Sequence, residues 1–242
     1  MKTEILGYKI ETDFPEININ SESKIIINTL NPHSYRISKK DFIFRNALNH
    51  STFILPDGIG IVIGEKILNN RKIKKIAGAD IHEYLIKKAN LENLSIFYLG
   101  SKTSTLMKIE EKIKNNFKNI KYRTYSPPFK QFFSVEENIE IVNAINHFKP
   151  DILFVGMTAP KQEKWVYENQ SKIDAKIICS IGAVFDFYAE TIKRPNKFWI
   201  KLGLEWLIRL IKEPKRMFTR NFISTPIFLK DLIIAKFSNI FK

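Results

Sequence analysis

"FILPDGIGIVIGEKIL", residues 53–68, decides how the chain is read. It begins as a buried strand, breaks at Pro56, sets Asp57 beside Gly58 and Gly60, and continues with helical character. A strand that feeds a helix through a glycine-bearing turn is a unit of an α/β fold. Glycine lacks a Cβ, so a ligand can come close to the backbone there. A carboxylate at the strand tip faces the same space and can take a proton from an attacking hydroxyl. The partial positive charge of the helix start favours the ionised carboxylate and makes it a weaker base. Taken alone, these residues also read as a simple Asp-Gly turn or a helix cap.

The same grammar recurs on either side. Strands are predicted at "KIIINTL" (24–30), "TFILP" (52–56), "SIFYLG" (95–100), "IKYRTY" (120–125), "DILFVGM" (151–157) and "AKIICSIG" (175–182). Most are near-continuous apolar runs, the mark of strands covered on both faces. Helices are predicted over 39–49, 79–90, 102–117, 136–148 and 160–170. The first follows Ser38, with Asp41 completing a Ser-x-x-Asp capping signal. In the 102–117 segment, Leu106, Ile109, Ile113 and Phe117 fall on one face. The alternation predicts a Rossmann-like, mostly parallel sheet with helices on both faces. Ligands of such sheets sit beyond the carboxyl ends of the strands.

After Asp186 the strands stop. "KFWIKLGLEWLIRLIKEP", "KRMFTRNF" and "PIFLKDLIIAKF" read as helices parted at Pro214 and Pro226. The expected division is an α/β core over 1–194 and a basic helical appendage over 195–242. The charge supports it. The 242 residues carry a net +14, yet the last fifty hold 12 Lys/Arg against 3 Asp/Glu. Such a block attracts phosphate, whether of a nucleic acid, an anionic bilayer or a phosphorylated small molecule. Solvated lysines explain part of it equally well.

Composition narrows the classes. Hydrophobic residues make up 44%, enough for a real core, and no segment reaches the roughly 18 apolar residues that suggest a membrane span. Cys179 is the only cysteine, so there is no disulfide framework and no thiolate metal cage. His33, His50, His82 and His147 are scattered without paired metal-ligand spacing, which argues against zinc. "MKTEILGYKIETDF" has no apolar h-region and no cleavage site, so the expectation is a cytoplasmic protein.

Several stretches can carry chemistry. Thr29 and Asn31 close the first long strand, where Pro32 ends it; they can hydrogen-bond a ligand or simply make a turn. "GIGIVIG" misses the dinucleotide fingerprint by one residue but sits where a phosphate or sugar nucleotide binds. "KKIAGADIHEYL" (74–85) repeats the glycine-and-acid theme, and Asp80 can cap that helix or meet a ligand. "DILFVGMTAPKQEKWV" (151–166) is the most specific stretch. It delivers Pro160 to a helix start, with Gln162 and Glu163 near the same sheet edge as Asp57, and Trp165 as core. Asp186 follows the last strand, placed to bind a ribose hydroxyl or to hold a loop. Arg209, Arg216 and Arg220 lie amid Trp199, Trp206, Phe218 and Phe222, a mix suited to a membrane interface or a diphosphate clamp.

Together, "INTLN", "LPDGIG", "AGAD", "FYLG", "PDILFVGMTAPKQEKWV", "GAVFDF", "RP" and "GLEWLIRLIKEPKR", in that order from about Ile25 to Phe222, resemble the TagA/WecG/CpsF glycosyltransferases. The resemblance implies transfer of a sugar, an N-acetylhexosamine such as N-acetylmannosamine, from a UDP-sugar to a polyprenyl-diphosphate-linked acceptor. Transfer inverts the anomeric carbon, at the inner membrane face, in teichoic acid, exopolysaccharide or capsule synthesis. It implies Asp57 as catalytic base, Thr29 and Asn31 against donor sugar or acceptor, Gln162 positioning them and Asp186 near the nucleotide. Arg209 and Arg216 would fold over the site from an appendage lying on anionic lipid. Gly58, Gly60, Lys75, Gly78, Asp80, Glu163 and Arg220 complete the candidate substrate contacts. Lys75 stands where the family often has arginine, and Thr219 stands at another such position, next to Arg220.

No Asp-x-Asp pair is present to hold a divalent metal, so the expectation is metal-independent transfer, with arginines neutralising the departing diphosphate. Two other readings compete with it. The near-miss glycine pattern suggests a nicotinamide-dependent oxidoreductase, but its third glycine is misplaced. The charge suggests a basic membrane- or nucleic-acid-binding module, but no nucleic-acid motif accompanies it.

Overall fold

The computed structural model describes residues 1–192, 199 and 205–240, with the side chains of 205, 209, 212, 216, 239 and 240 outside that description. All six predicted strands form: β3 (Ile25–Leu30), β4 (Phe53–Pro56), β5 (Ser95–Gly100), β6 (Lys121–Tyr125), β7 (Ile152–Gly156) and β8 (Ile177–Ser180). They make one parallel sheet in the order β4-β3-β8-β7-β5-β6. Parallel strands need covered faces, and the sequence supplies the cover in alternation. Phe154 and Tyr98 point into one buried cluster with α4 (Gly78–Glu92) and α5 (Thr103–Asn116). Leu153, Val155 and Phe97 point into the other, under α6 (Val135–Phe148) and α7 (Lys161–Asn169). Leu106, Ile109 and Ile113 form the buried stripe of α5 as their spacing predicts.

One buried polar pair in this core is satisfied locally. His82 is fully buried, with Nε2 2.9 Å from the Tyr98 hydroxyl. Burial pulls its pKa down to about 3, so the imidazole is neutral.

A two-stranded antiparallel hairpin, β1 (Lys2–Ile5) and β2 (Tyr8–Glu11), precedes the sheet. Its turn is Leu6-Gly7, both at positive φ, the geometry that matches the twist of the flanking strands. Two helices follow β3. α1 (Pro32–Ser38) starts directly at the strand's end, with Pro32 in its first turn, so Pro32 ends one element and opens the next. α2 (Phe42–Asn49) starts later than expected. Ser38 does not cap it: its Oγ donates to Tyr35 O and accepts from Tyr8 Oη, both at 2.7 Å, at the end of α1. Asp41 is the cap, accepting from Phe44 N at 2.9 Å.

Beyond β8 come α8 (Val184–Tyr188), α9 (Glu205–Lys212), α10 (Pro214–Phe218), a π-helical turn (Thr219–Ser224) and α11 (Thr225–Ile240). The boundary expected near residue 194 lies outside the described residues. Helix α11 is packed on the core: Phe228 and Leu232 are fully buried with Ile5, Leu30, Phe44 and Ile61. Each such side chain contributes roughly 1.5–3 kcal/mol of burial. Polar contacts reinforce the seam, with the Tyr35 hydroxyl donating to Asp231 Oδ2 at 2.8 Å and Lys39 paired with the same carboxylate at 2.5 Å. Among the described residues no helix is long and apolar enough to cross a membrane.

Candidate active site

The carboxyl ends of β3, β4, β5, β7 and β8 meet at one edge of the sheet, and two cavities open there. The larger has a volume of about 1100 Å³ and is lined by polar and small residues, among them Thr29, Asn31, Asp57, Gly78, Gln162 and Asp186. That volume exceeds the usual range for a drug-sized ligand. The smaller, about 310 Å³, is mostly apolar, with Pro32, Ile59, Ile63, Trp206, Met217 and Leu229 in its wall. Asn31, His33, Asp57 and Arg220 line both.

Local geometry explains the junction. Asp57 N donates to Leu30 O at 2.8 Å, which ties the tip of β4 to β3. Gly58 is the N-cap of α3 (Ile59–Asn69) at φ +93, a backbone shape that disfavours any side chain. Among the described residues no side chain caps α3, so the Asp57 carboxylate is not its cap. At Gly60 a Cβ would lie 2.6 Å from Pro32 Cγ, so glycine lets α3 and α1 start side by side. Asn31 caps α1: its Oδ1 accepts from His33 N and Ser34 N, both at 3.0 Å. Its Nδ2 is then the hydrogen-bonding group left for a ligand.

The start of α7 forms another wall. Gln162 Oε1 accepts from Met157 N at 3.2 Å, and Nε2 donates to Glu163 Oε1 at 2.9 Å. The absence of a Cβ at Gly182 lets the loop after β8 pass close to this amide. Glu163 is almost wholly buried, and burial raises its pKa to about 7. Asp186 lines the same cavity and accepts from Thr191 Oγ1 at 3.2 Å. Trp165 is core, as expected, with Nε1 donating to Asn138 Oδ1 at 2.8 Å.

Most sequence-nominated residues therefore converge. Thr29, Gly78, Gln162, Glu163 and Asp186 line the larger cavity, Gly58, Gly60 and Lys75 the smaller, and Asn31, Asp57 and Arg220 both. Asp80 is not in either wall; its Oδ2 accepts from Ala77 N at 2.8 Å and caps α4. The backbones of Arg209 and Arg216 fall on α9 and α10, while their side chains lie outside the described residues. Arg220 sits on the π-helical turn, a distortion frequent at functional sites.

Among the cavity-lining groups that carried no expectation, three stand out. His33 sits in both walls, with Nδ1 2.9 Å from Ser224 Oγ. Ser180 lines the larger cavity at the end of β8. The loop Pro127–Gln131 forms its outer rim, braced by Lys161 Nζ donating to Lys130 O at 2.6 Å. Only the loop had a visible signal, its Pro-Pro pair.

Sequence comparison places the chain among known proteins. The profile of the glycosyl transferase WecG/TagA/CpsF family matches residues 4–241. The chain belongs to that family. This WecG/TagA/CpsF chain is 32% identical over 198 residues to a Bacillus subtilis (strain 168) protein, covering 82% of this chain and 75% of that one. That relative is named N-acetylglucosaminyldiphosphoundecaprenol N-acetyl-beta-D-mannosaminyltransferase. Proteins of the same name from Bacillus spizizenii (28% over 200 residues; 83% and 75% covered) and Staphylococcus aureus strain MW2 (25% over 216 residues; 89% and 82%) are also similar. Membership makes the protein a glycosyltransferase, and its strand-tip acid is the group to examine for that chemistry.

Proposed function

We propose that this glycosyltransferase moves an N-acetylhexosamine, N-acetylmannosamine being the leading candidate, from a UDP-sugar to a sugar on a polyprenyl diphosphate. The single observation that carries the reading is the shared wall. A polar cavity fit for a sugar nucleotide and an apolar one fit for the start of a lipid chain meet at Asp57. The relatives' names supply the sugar and the acceptor class.

In the proposed reaction the acceptor hydroxyl attacks the anomeric carbon from the face opposite UDP. Asp57 takes the hydroxyl proton as the new C–O bond forms. The bond to the diphosphate breaks, its electron pair leaves with UDP, and the anomeric configuration inverts. Charge grows on the diphosphate oxygens as this happens, and preorganised cations lower that cost. Arg220, which lines both cavities, is the first such cation in this reading, with Arg209 and Arg216 as further donors. Thr29 and the Asn31 amide orient the reacting sugar. Transfer of this kind needs no divalent metal, and treatment with EDTA should leave turnover intact.

The exposed apolar side chains near the smaller cavity, Phe218, Phe222 and Ile223, sit in a strongly basic stretch. This supports a peripheral position on the anionic inner face of the membrane. Synthesis of teichoic acid or another surface polysaccharide is the fitting context. The deciding experiment measures UDP release from a panel of UDP-sugars with a polyprenyl-diphosphate-linked N-acetylglucosamine acceptor. Acceptor-dependent release that Asp57→Asn abolishes supports the proposal. Release from no donor, or undiminished release by the variant, overturns it.

A further inference from the structure

Among the described residues, two polar side chains that line the larger cavity are buried without a hydrogen-bond partner on the atom that matters. Glu163 is 3% exposed; its Oε1 accepts from Gln162, but Oε2 has no partner. Ser180 is 1% exposed, and its Oγ has none either. Both residues line the cavity that also holds Thr29 and Asp57. An unmet buried polar atom costs free energy, and proteins rarely keep two in one site unless something completes them.

The fold brings these groups together from separate elements. Ser180 ends β8, directly beside Val155 of β7 in the parallel ladder. Ile178 and Val155 point into the cluster under α6 and α7, so Ser180, two residues beyond Ile178, faces the same side. Glu163 comes down from the first turn of α7 onto that side. Gln162 fixes one carboxyl oxygen and so orients the other. The pair thus offers one acceptor and one hydroxyl donor, a combination that suits a group able both to donate and to accept.

We propose that Glu163 and Ser180 form a subsite that binds one hydroxyl of the hexose carried on the nucleoside diphosphate, and that they thereby set which sugar is transferred. This rests on the glycosyltransfer reading above. Glu163 Oε2 accepts from the sugar hydroxyl, and Ser180 Oγ donates to it. A site built to hydrogen-bond a hydroxyl rejects a sugar that cannot supply it, because its own buried groups are then left unpaired. Neither residue touches the base or the diphosphate in this arrangement, so the effect is confined to the sugar.

The test compares UDP with UDP-N-acetylglucosamine and its C2 epimer UDP-N-acetylmannosamine, by calorimetry at pH 8. Wild-type protein is set beside Glu163→Gln, Glu163→Leu and Ser180→Ala, with melting curves to show that each is folded. Each variant should bind the preferred UDP-sugar at least tenfold more weakly, keep UDP affinity within about twofold, and lose preference between the two epimers. Where transfer is measured, the loss should appear in KM for the donor as well as in the ratio of kcat/KM between epimers. Folded variants with unchanged sugar preference overturn the subsite, as does an equal loss of UDP and UDP-sugar affinity, which marks a merely structural role. Wild-type protein that binds none of the three ligands overturns the glycosyltransfer reading itself, and shows this before any variant is compared.

Discussion

Two acids in this chain stand beside glycines at the start of a helix, and they serve different ends. Asp57 precedes the glycine N-cap of α3, caps nothing there, and lines both cavities. Asp80 sits in the first turn of α4 and closes that turn by accepting from Ala77 N. Asp57 lies one position before its helix's N-cap and Asp80 three after its own, and that offset separates a carboxylate that faces the site from one turned onto its own backbone. Proximity to a helix start is thus a weak guide to function; whether the backbone has already taken the carboxylate is a better one.

The contrast can be broken most directly at Asp57. Asp57→Asn should lower turnover by about 10²–10⁴-fold, the usual worth of a positioned acid or base, with UDP affinity and melting temperature retained. If Asp80→Asn costs as much turnover as Asp57→Asn in the same assay, the distinction between site and cap collapses. A second variant asks whether the last helix supports the site or merely adjoins it. Phe228→Ala removes a fully buried ring from the cluster joining α11 to β3 and α3, and should cost about 3–5 kcal/mol in denaturant unfolding. A change below about 1 kcal/mol would mean that α11 is held more loosely than its burial implies.

Glu163 sharpens the comparison with a third kind of carboxyl, one neither exposed nor paired with a cation. Its folded pKa, about 7, lies above the value in the unfolded chain, so the folded state holds the extra proton between those limits. Stability from this group is present at low pH and is lost as pH rises toward and through 7. From pH 5 to 8 the loss should be roughly 2–3 kcal/mol, and Glu163→Gln should flatten that part of the profile. An identical pH profile in the variant would assign the slope elsewhere. The smallest effect belongs to the cap: Asp80→Ala should cost about 1 kcal/mol of stability.

The sheet was legible because each long strand is a near-continuous apolar run bounded by polar turns, and a doubly covered strand leaves that trace. The N-terminal hairpin left less. Its strands have four residues each, too short for a clear period, although Leu6-Gly7 is a turn signal. Helix α1 was hidden because Asn-Pro reads as a loop; only the Asn31 cap, with the Ser34 hydroxyl accepting from Asn31 N, makes it a helix start. Helix α11 read as part of an appendage because no strand is predicted after Asp186 and the segment is basic. Nothing in the order of its residues reveals that Phe228 and Leu232 face the hairpin and α1. In the site, Asp57, Asn31 and Gln162 stood out through their company of glycine and proline. Ser180 and His33 carried no such mark, since a serine ending an apolar strand and a histidine after proline are ordinary in any sequence.

The order of residues alone settled the α/β class, the six strands of the main sheet and the acid at a strand tip, on the edge where the cavities open. These follow from local periodicity and turn chemistry, which act within a few residues. The strand order, the seating of α11 on the core and the meeting of two cavities at Asp57 were decided only in three dimensions. So was the burial of Glu163 beside Ser180. Each depends on contacts between segments far apart in the chain, where complementary surface, rather than neighbouring residues, determines what is buried.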